Sequence, residues 1–147
     1  MNYVNTVTGP VAASELGRTL MHEHFLFGFC GFQGDATLGG FKEEEYTRDC
    51  LKAVDDARAY GINTIVDATT NECGRNVRFL KKISDMTGMN IICSTGYYFQ
   101  AESAYAYWNF RRGFANIEEE IYEMMVTELT KGIEGTDIKA EIGRAHV

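Results

Sequence analysis

At 147 residues, with 45% hydrophobic and 24% charged side chains, the chain has the make-up of one globular domain with a real core, not of a disordered segment. Its net charge of -7 argues against a nucleic-acid surface, because phosphate binding needs a basic patch. No apolar run approaches the ~20 residues of a membrane span, and no basic segment leads into an apolar secretory core.

Tyr3 to Val11 alternates and stops at Gly9-Pro10, which predicts a short strand and a turn ahead of the main fold. Thr19 to Phe25 is the next predicted strand, and it carries Met21-His22-Glu23-His24-Phe25. Side chains at i and i+2 leave the same face of a strand. Two imidazoles so placed can meet one divalent metal at ~2.0–2.1 Å. The chain has three histidines, and two of them sit here. Phe27 to Gly40 follows with loop composition, containing Gly28, Gly31, Gly34, Gly39 and Gly40.

Tyr46, Cys50, Leu51, Val54 and Ala57 recur at helical spacing, predicting a helix from Glu43 to Tyr60 that Gly61 ends. Ile62 to Val66 reads as a buried strand running into Asp67-Ala68-Thr69-Thr70. Arg75 to Thr87 is a second helix with Val77, Leu80, Ile83 and Met86 on one face, closed by Gly88. Asn90 to Thr95 is another apolar strand. The stretch Ala101 to Gly113, with Tyr105, Tyr107, Trp108 and Phe110, reads as a long aromatic loop. Ile117 to Lys131 is a third helix, and Asp137-Ile138-Lys139-Ala140 begins something extended. Glu43-Glu44-Glu45 and Glu118-Glu119-Glu120 are first-turn acids at the positive ends of their helices.

Strands alternating with helices make an α/β chain with a parallel sheet. In a doubly wound sheet the glycine turn would read GxGxxG, whereas Gly28, Gly31 and Gly34 are spaced by three and lie far from the helix start. In a (β/α)8 TIM barrel the chemistry sits at the C-terminal ends of strands. His22, His24, Asp67, Thr69, Thr70 and Thr95 fall there, so the barrel is the better reading. A complete barrel takes roughly 250 residues. This chain supplies an incomplete one: three βα units and the start of a fourth strand.

Cys30, Cys50, Cys73 and Cys93 are scattered with no CxxC pair, which reads as thiols in a reducing, cytoplasmic setting. Cys50 on a helical stripe and Cys93 in a strand act as small hydrophobes.

Several passages together resemble the N-terminal half of the phosphotriesterase family, part of the amidohydrolase superfamily. They are Thr6-Val7-Thr8-Gly9-Pro10, Leu16-Gly17-Arg18-Thr19-Leu20-Met21-His22-Glu23-His24, Thr64-Ile65-Val66-Asp67-Ala68-Thr69 and Gly74-Arg75-Asn76. Thr87-Gly88-Met89-Asn90-Ile91-Ile92-Cys93-Ser94-Thr95-Gly96-Tyr97-Tyr98 and Gly132-Ile133-Glu134-Gly135-Thr136 continue the pattern, so the likeness runs from Thr6 to Ala140. The resemblance implies a barrel with two divalent metals, usually zinc, at its mouth. First-strand histidines bind one metal, and a carboxylated lysine or glutamate on the fourth strand bridges both. Histidines on the fifth and sixth strands and an aspartate on the eighth complete that set. Only His22 and His24 map onto this chain as metal ligands. The implied nucleophile is a metal-bound hydroxide, so no catalytic side chain is assigned. Implied substrates are small-molecule esters: phosphotriesters, lactones and other carboxylic esters. Tyr98 and Phe99 match aromatic positions that line the substrate pocket in some members.

After Ala140 the family pattern continues with a glycine and an apolar strand, but this chain reads Glu141-Ile142-Gly143-Arg144-Ala145-His146-Val147. Ile-Gly-Arg-Ala-His-Val is what a common short-read sequencing adapter encodes in one frame. Residues 1–140 are therefore read as the N-terminal half of a metal-dependent hydrolase barrel, and residues 141–147 as a non-native tail, wholly or in part. Glu141 and His146 are accordingly not assigned as ligands, and Lys139 lies too early to be the bridging lysine.

Other polar residues have plainer readings. Glu23 points away from the histidines as a structural partner. Asp67 either orients a ligand or caps the following turn. Glu72 and Cys73 belong to a plain turn, and Tyr97 and Tyr98 suit packing as well as binding. The expected function is a fragment of a binuclear zinc-dependent ester hydrolase. Its rival is an inert half barrel that self-associates, for example as a homodimer, through an open sheet edge.

Overall fold

The computed structural model describes residues 2–98 and 103–144. A hairpin comes first, with β1 (Tyr3–Thr6) antiparallel to β2 (Gly9–Ala12). Gly9-Pro10 thus opens a second strand where the sequence reading ends the first. Gly9 takes φ 119°, open to a residue without a side chain, and the turn Thr6 hydroxyl donates to Gly9 O at 2.7 Å.

Four strands form the main sheet: β3 (Arg18–Glu23), β4 (Ile62–Asp67), β5 (Asn90–Gly96) and β6 (Ala140–Arg144). All three pairings are parallel, in the order β3-β4-β5-β6. Consecutive order lacks the reversal that defines a doubly wound sheet, and it is the order of adjacent barrel strands. The crossovers are α1 (Glu43–Ala59), α2 (Val77–Thr87), and the pair α3 (Ser103–Arg111) and α4 (Ile117–Thr130).

The aromatic stretch expected as a loop contains α3. Its apolar residues crowd together without a helical stripe, so periodicity does not reveal it. Elsewhere helix signals work through caps. Asn76 accepts from Phe79 N at 3.0 Å and starts α2 two residues later than the apolar pattern indicates. Gly88, at φ 70°, ends it. Gly132, at φ 151°, permits the tight return from α4: a Cβ there would stand 1.9 Å from Thr136 O.

The core lies between sheet and helices. Cys50 and Val54 of α1, Val77, Leu80 and Ile83 of α2, and Ile65, Ile91 and Cys93 of the sheet are buried together. Each such aliphatic side chain contributes ~1.5–3 kcal/mol when removed from water. Val7 of the hairpin joins this cluster, and its N–H donates to Ile91 O at 2.9 Å. Glu141, in β6, accepts from Asn5 N at 2.8 Å and from Asn5 Nδ2 at 2.7 Å. That carboxylate serves the hairpin. Ala145 to Val147, His146 included, lie outside the described residues.

A buried ion pair locks the third crossover to the sheet. Arg75 donates from Nη1 and Nη2 to the two Glu128 oxygens at 3.0 and 2.6 Å, and from Nη1 to Ser94 O at 2.9 Å. Burial opposes the guanidinium charge, but the Glu128 carboxylate more than offsets it and raises the pKa. Among the described residues, no helix is long and apolar enough to cross a membrane.

Candidate metal and substrate site

His22 lies at the end of β3 and His24 just past it. The strand is not regular there. Leu20 pairs with Ile65 and Glu23 with Asp67, so three steps on β3 match two on β4. This extra residue is a β-bulge, a device that re-aims side chains. The imidazoles nevertheless meet, with ring centroids 5.3 Å apart and planes at 70°. Glu23 lines a recess with Leu20, Phe25, Tyr46 and Cys50 against α1, and His24 lines it too, so the two are not on separate faces as the strand alternation predicts.

Thr69 sets the tautomer of His24. Its hydroxyl lies 2.9 Å from His24 Nδ1 and donates to Leu26 O at 3.2 Å. A hydroxyl has one hydrogen to give, so Nδ1–H must be the donor toward Thr69. The ring lone pair is then on Nε2, the nitrogen left to ligate a metal.

Asp67 holds the backbone around this pair. Its Oδ2 accepts from Phe25 N at 3.0 Å and its Oδ1 from Thr69 N at 2.8 Å. Ala68 N also donates to Glu23 O at 3.0 Å, tying the two strand ends together. Of the two roles open for Asp67, it plays the turn-capping one and also fixes the residue after His24, through backbone amides. Burial raises its pKa, with the bonds from Thr69 and Phe25 and the charge of His24 opposing.

An aromatic wall stands beside His24. Phe27 packs on it edge-on at 5.1 Å and touches Phe29 at 5.3 Å and Tyr98 at 5.9 Å. Phe27 and Phe29 are absent from the sequence expectations because they sit in a glycine-rich loop; the alternation of Phe25, Phe27 and Phe29 is the signal that marks them. Tyr98 joins this wall, whereas Phe99 lies outside the described residues. Tyr97 turns the other way. Its hydroxyl donates to Met124 Sδ at 3.1 Å, and burial pushes its pKa up to about 12.

Glu72 and Cys73 lie in a short 3-10 turn, as expected, yet both are buried. Glu72 Oε1 accepts from Tyr98 N and so helps to place Tyr98. The buried thiols are poor ligands. Burial pushes Cys50 up to about 11 and raises Cys93 further, which disfavours the thiolate a metal requires.

Among the described residues, no group of three or more His, Cys, Asp or Glu side chains converges as a metal cluster. Catalytic zinc sites normally take three protein ligands. The chemistry of His22 and His24, with one tautomer already set, fits half of such a site.

The model of the phosphotriesterase family matches residues 2–145. An organophosphorus hydrolase from Deinococcus radiodurans superposes with a TM-score of 0.90 at 48% identity, covering 96% of this chain and 42% of that one. A mutant of a phosphotriesterase-like lactonase from the same organism gives 0.89 at 48%, covering 95% and 44%. A phosphotriesterase-related protein of Nematostella vectensis is 36% identical, over 93% of this chain and 46% of its own length. The aryldialkylphosphatase of Saccharolobus solfataricus is 30% identical, over 88% and 39%. The chain therefore spans less than half the length of these relatives, and its four-stranded parallel sheet is part of a barrel. On the match across nearly its whole length, this chain belongs to the phosphotriesterase family.

Proposed function

We propose that the chain is a fragment of a binuclear zinc-dependent hydrolase that cleaves ester bonds, with a lactone or phosphotriester as substrate. The observation that carries this reading is the His22–His24 pair, with its ring centroids 5.3 Å apart and Nε2 of His24 left as the ligating nitrogen. The hydrolase and lactonase names among the relatives support the reaction class.

Within that reading His22 and His24 hold one zinc ion, Thr69 fixes the His24 ring, and Asp67 fixes the backbone that carries it. Phe27, Phe29 and Tyr98 pack against the apolar part of the ester and exclude water on that side. When bound, zinc supplies the Lewis acidity that makes a nucleophile of water near neutral pH. The remaining ligands belong to strands that this chain does not contain. On this reading the chain alone turns over neither paraoxon nor a lactone, and the longer protein works on a small molecule in the cytoplasm.

Metal analysis of the purified chain tests the first part. Zinc retained by the parent and lost in His22→Ala supports it; equal zinc in both contradicts it. A second reading rests on the sheet edges, since β3 and β6 each have one neighbouring strand among the described residues. Met21 on β3 is 66% exposed. An open, apolar edge templates pairing with another chain. The inert half barrel would then elute as a dimer or larger species in size-exclusion chromatography, and a monomer at all concentrations rules this out.

A further inference from the structure

Among the described residues, no third His, Cys, Asp or Glu side chain joins His22 and His24 as a ligand group. A zinc ion takes four ligands, and a closed site draws all four from protein. Two imidazoles on one tetrahedral zinc at ~2.0–2.1 Å have ring centroids ~5 Å apart. The His22 and His24 centroids stand 5.3 Å apart, so the pair is spaced to share one ion and to leave half of its coordination to ligands from outside the chain.

The surroundings suit a protein ligand. His22 is exposed and His24 half-buried, so both present surface to a second molecule. Phe27, packed edge-on against His24, is 45% exposed, and its neighbour Phe29 is 42% exposed. Clustered apolar exposure around a polar centre marks an interaction surface. Charge points to an ion between copies. Each chain carries a net charge of -7, so two copies repel, whereas a dication held by neutral imidazoles sets positive charge between them. We infer that two copies of this chain share one zinc ion, each supplying His22 and His24, with the ion on the two-fold axis that relates them. A two-fold interface uses the same patch on both copies, so the histidine pair meets its own duplicate and the Phe27 and Phe29 rings of both copies close around the ion. The site is incomplete without the second copy. This dimer rests on the metal reading of His22 and His24, and it differs from edge pairing of sheets, in which no ion takes part.

Sedimentation velocity and zinc analysis of the full chain, stripped with a chelator and then titrated with zinc, test the inference. The stripped chain is expected to sediment as a monomer, and the dimer to be complete at about half an equivalent of zinc per chain. Renewed chelation is expected to return the monomer. His22→Ala and His24→Ala are each expected to raise the zinc needed for the dimer about tenfold or more. His22 is exposed, so its substitution spares the core. His146 lies outside the described residues, and His146→Ala is expected to dimerise as the parent does. A monomer that binds zinc through His22 would overturn the inference and leave the metal reading standing. Zinc held as tightly by His22→Ala as by the parent would overturn both. A dimer that persists in chelator, or that His146→Ala abolishes, would overturn the shared site.

Discussion

Thr69 Oγ1 sits 2.9 Å from His24 Nδ1 while giving its own hydrogen to Leu26 O, so the imidazole is the donor in this contact. One hydroxyl two residues past the end of β4 thereby decides which nitrogen of His24 faces a metal. Thr69→Val keeps the shape and removes the acceptor. Partners that orient a ligating histidine typically account for 10–100-fold in metal affinity, and that loss is expected for zinc in this variant. Nitrogen NMR of the imidazole checks the cause directly: the parent shows the Nδ1–H tautomer, and the variant a mixture.

Asp67 makes stability depend on pH. Burial lifts its folded-state pKa, so the folded chain holds this proton more tightly than the unfolded chain does. Its contribution to stability is full below the ordinary carboxylate value of about 4 and is lost as pH rises through the folded-state value. Asp67→Asn has no proton to lose. Relative to the parent, the variant is expected to gain in melting temperature as pH rises above the ordinary carboxylate value of about 4. Parallel melting curves across that range would show that Asp67 does not titrate differently on folding.

The Arg75–Glu128 pair is predicted to matter most when broken from one side. Glu128→Ala leaves a guanidinium that is 2% exposed facing Ser94 O and the more distant Glu134. Removing one partner of a buried pair costs about 3–5 kcal/mol. Urea unfolding is expected to show that loss, and a smaller one when Arg75→Met and Glu128→Leu are combined, since apolar replacements of both leave no charge behind.

Thiol labelling tests the packing. Cys30 is exposed, whereas Cys50, Cys73 and Cys93 are buried. A thiol-specific dye at mildly alkaline pH is expected to label Cys30 quickly in the native chain and the other three on unfolding. Fast native labelling of Cys93 would contradict the sheet-and-helix core described above.

Much of this was legible from periodicity and from glycine. The helices from Glu43 and Ile117 start at the residues the sequence reading names, and Gly61 and Gly88 follow the ends of α1 and α2. The four-strand parallel order follows from alternating strands and helices. What stayed hidden is tertiary. Thr69 lies 45 residues from His24, and no local pattern couples a hydroxyl to an imidazole at that distance. The bulge between Leu20 and Glu23 breaks the two-residue period that made the histidines readable in the first place. Glu120 reads as a helix-dipole acid, yet its carboxylate is also held by Arg111 of α3. Helix α3 itself is concealed because its apolar residues, from Ala104 to Phe110, form no single stripe with a polar face opposite.

The central claim is that His22 and His24 form a metal-ligating pair with Nε2 of His24 as one donor. Zinc titration into the nitrogen-labelled chain, read at the imidazole nitrogens, tests it most directly. The account predicts that Nε2 of His24 and one ring nitrogen of His22 shift together at the same zinc concentration, and that His22→Ala weakens the response of His24. Imidazole signals from both residues that stay unmoved by zinc, or a His24 response unchanged in His22→Ala, would contradict it.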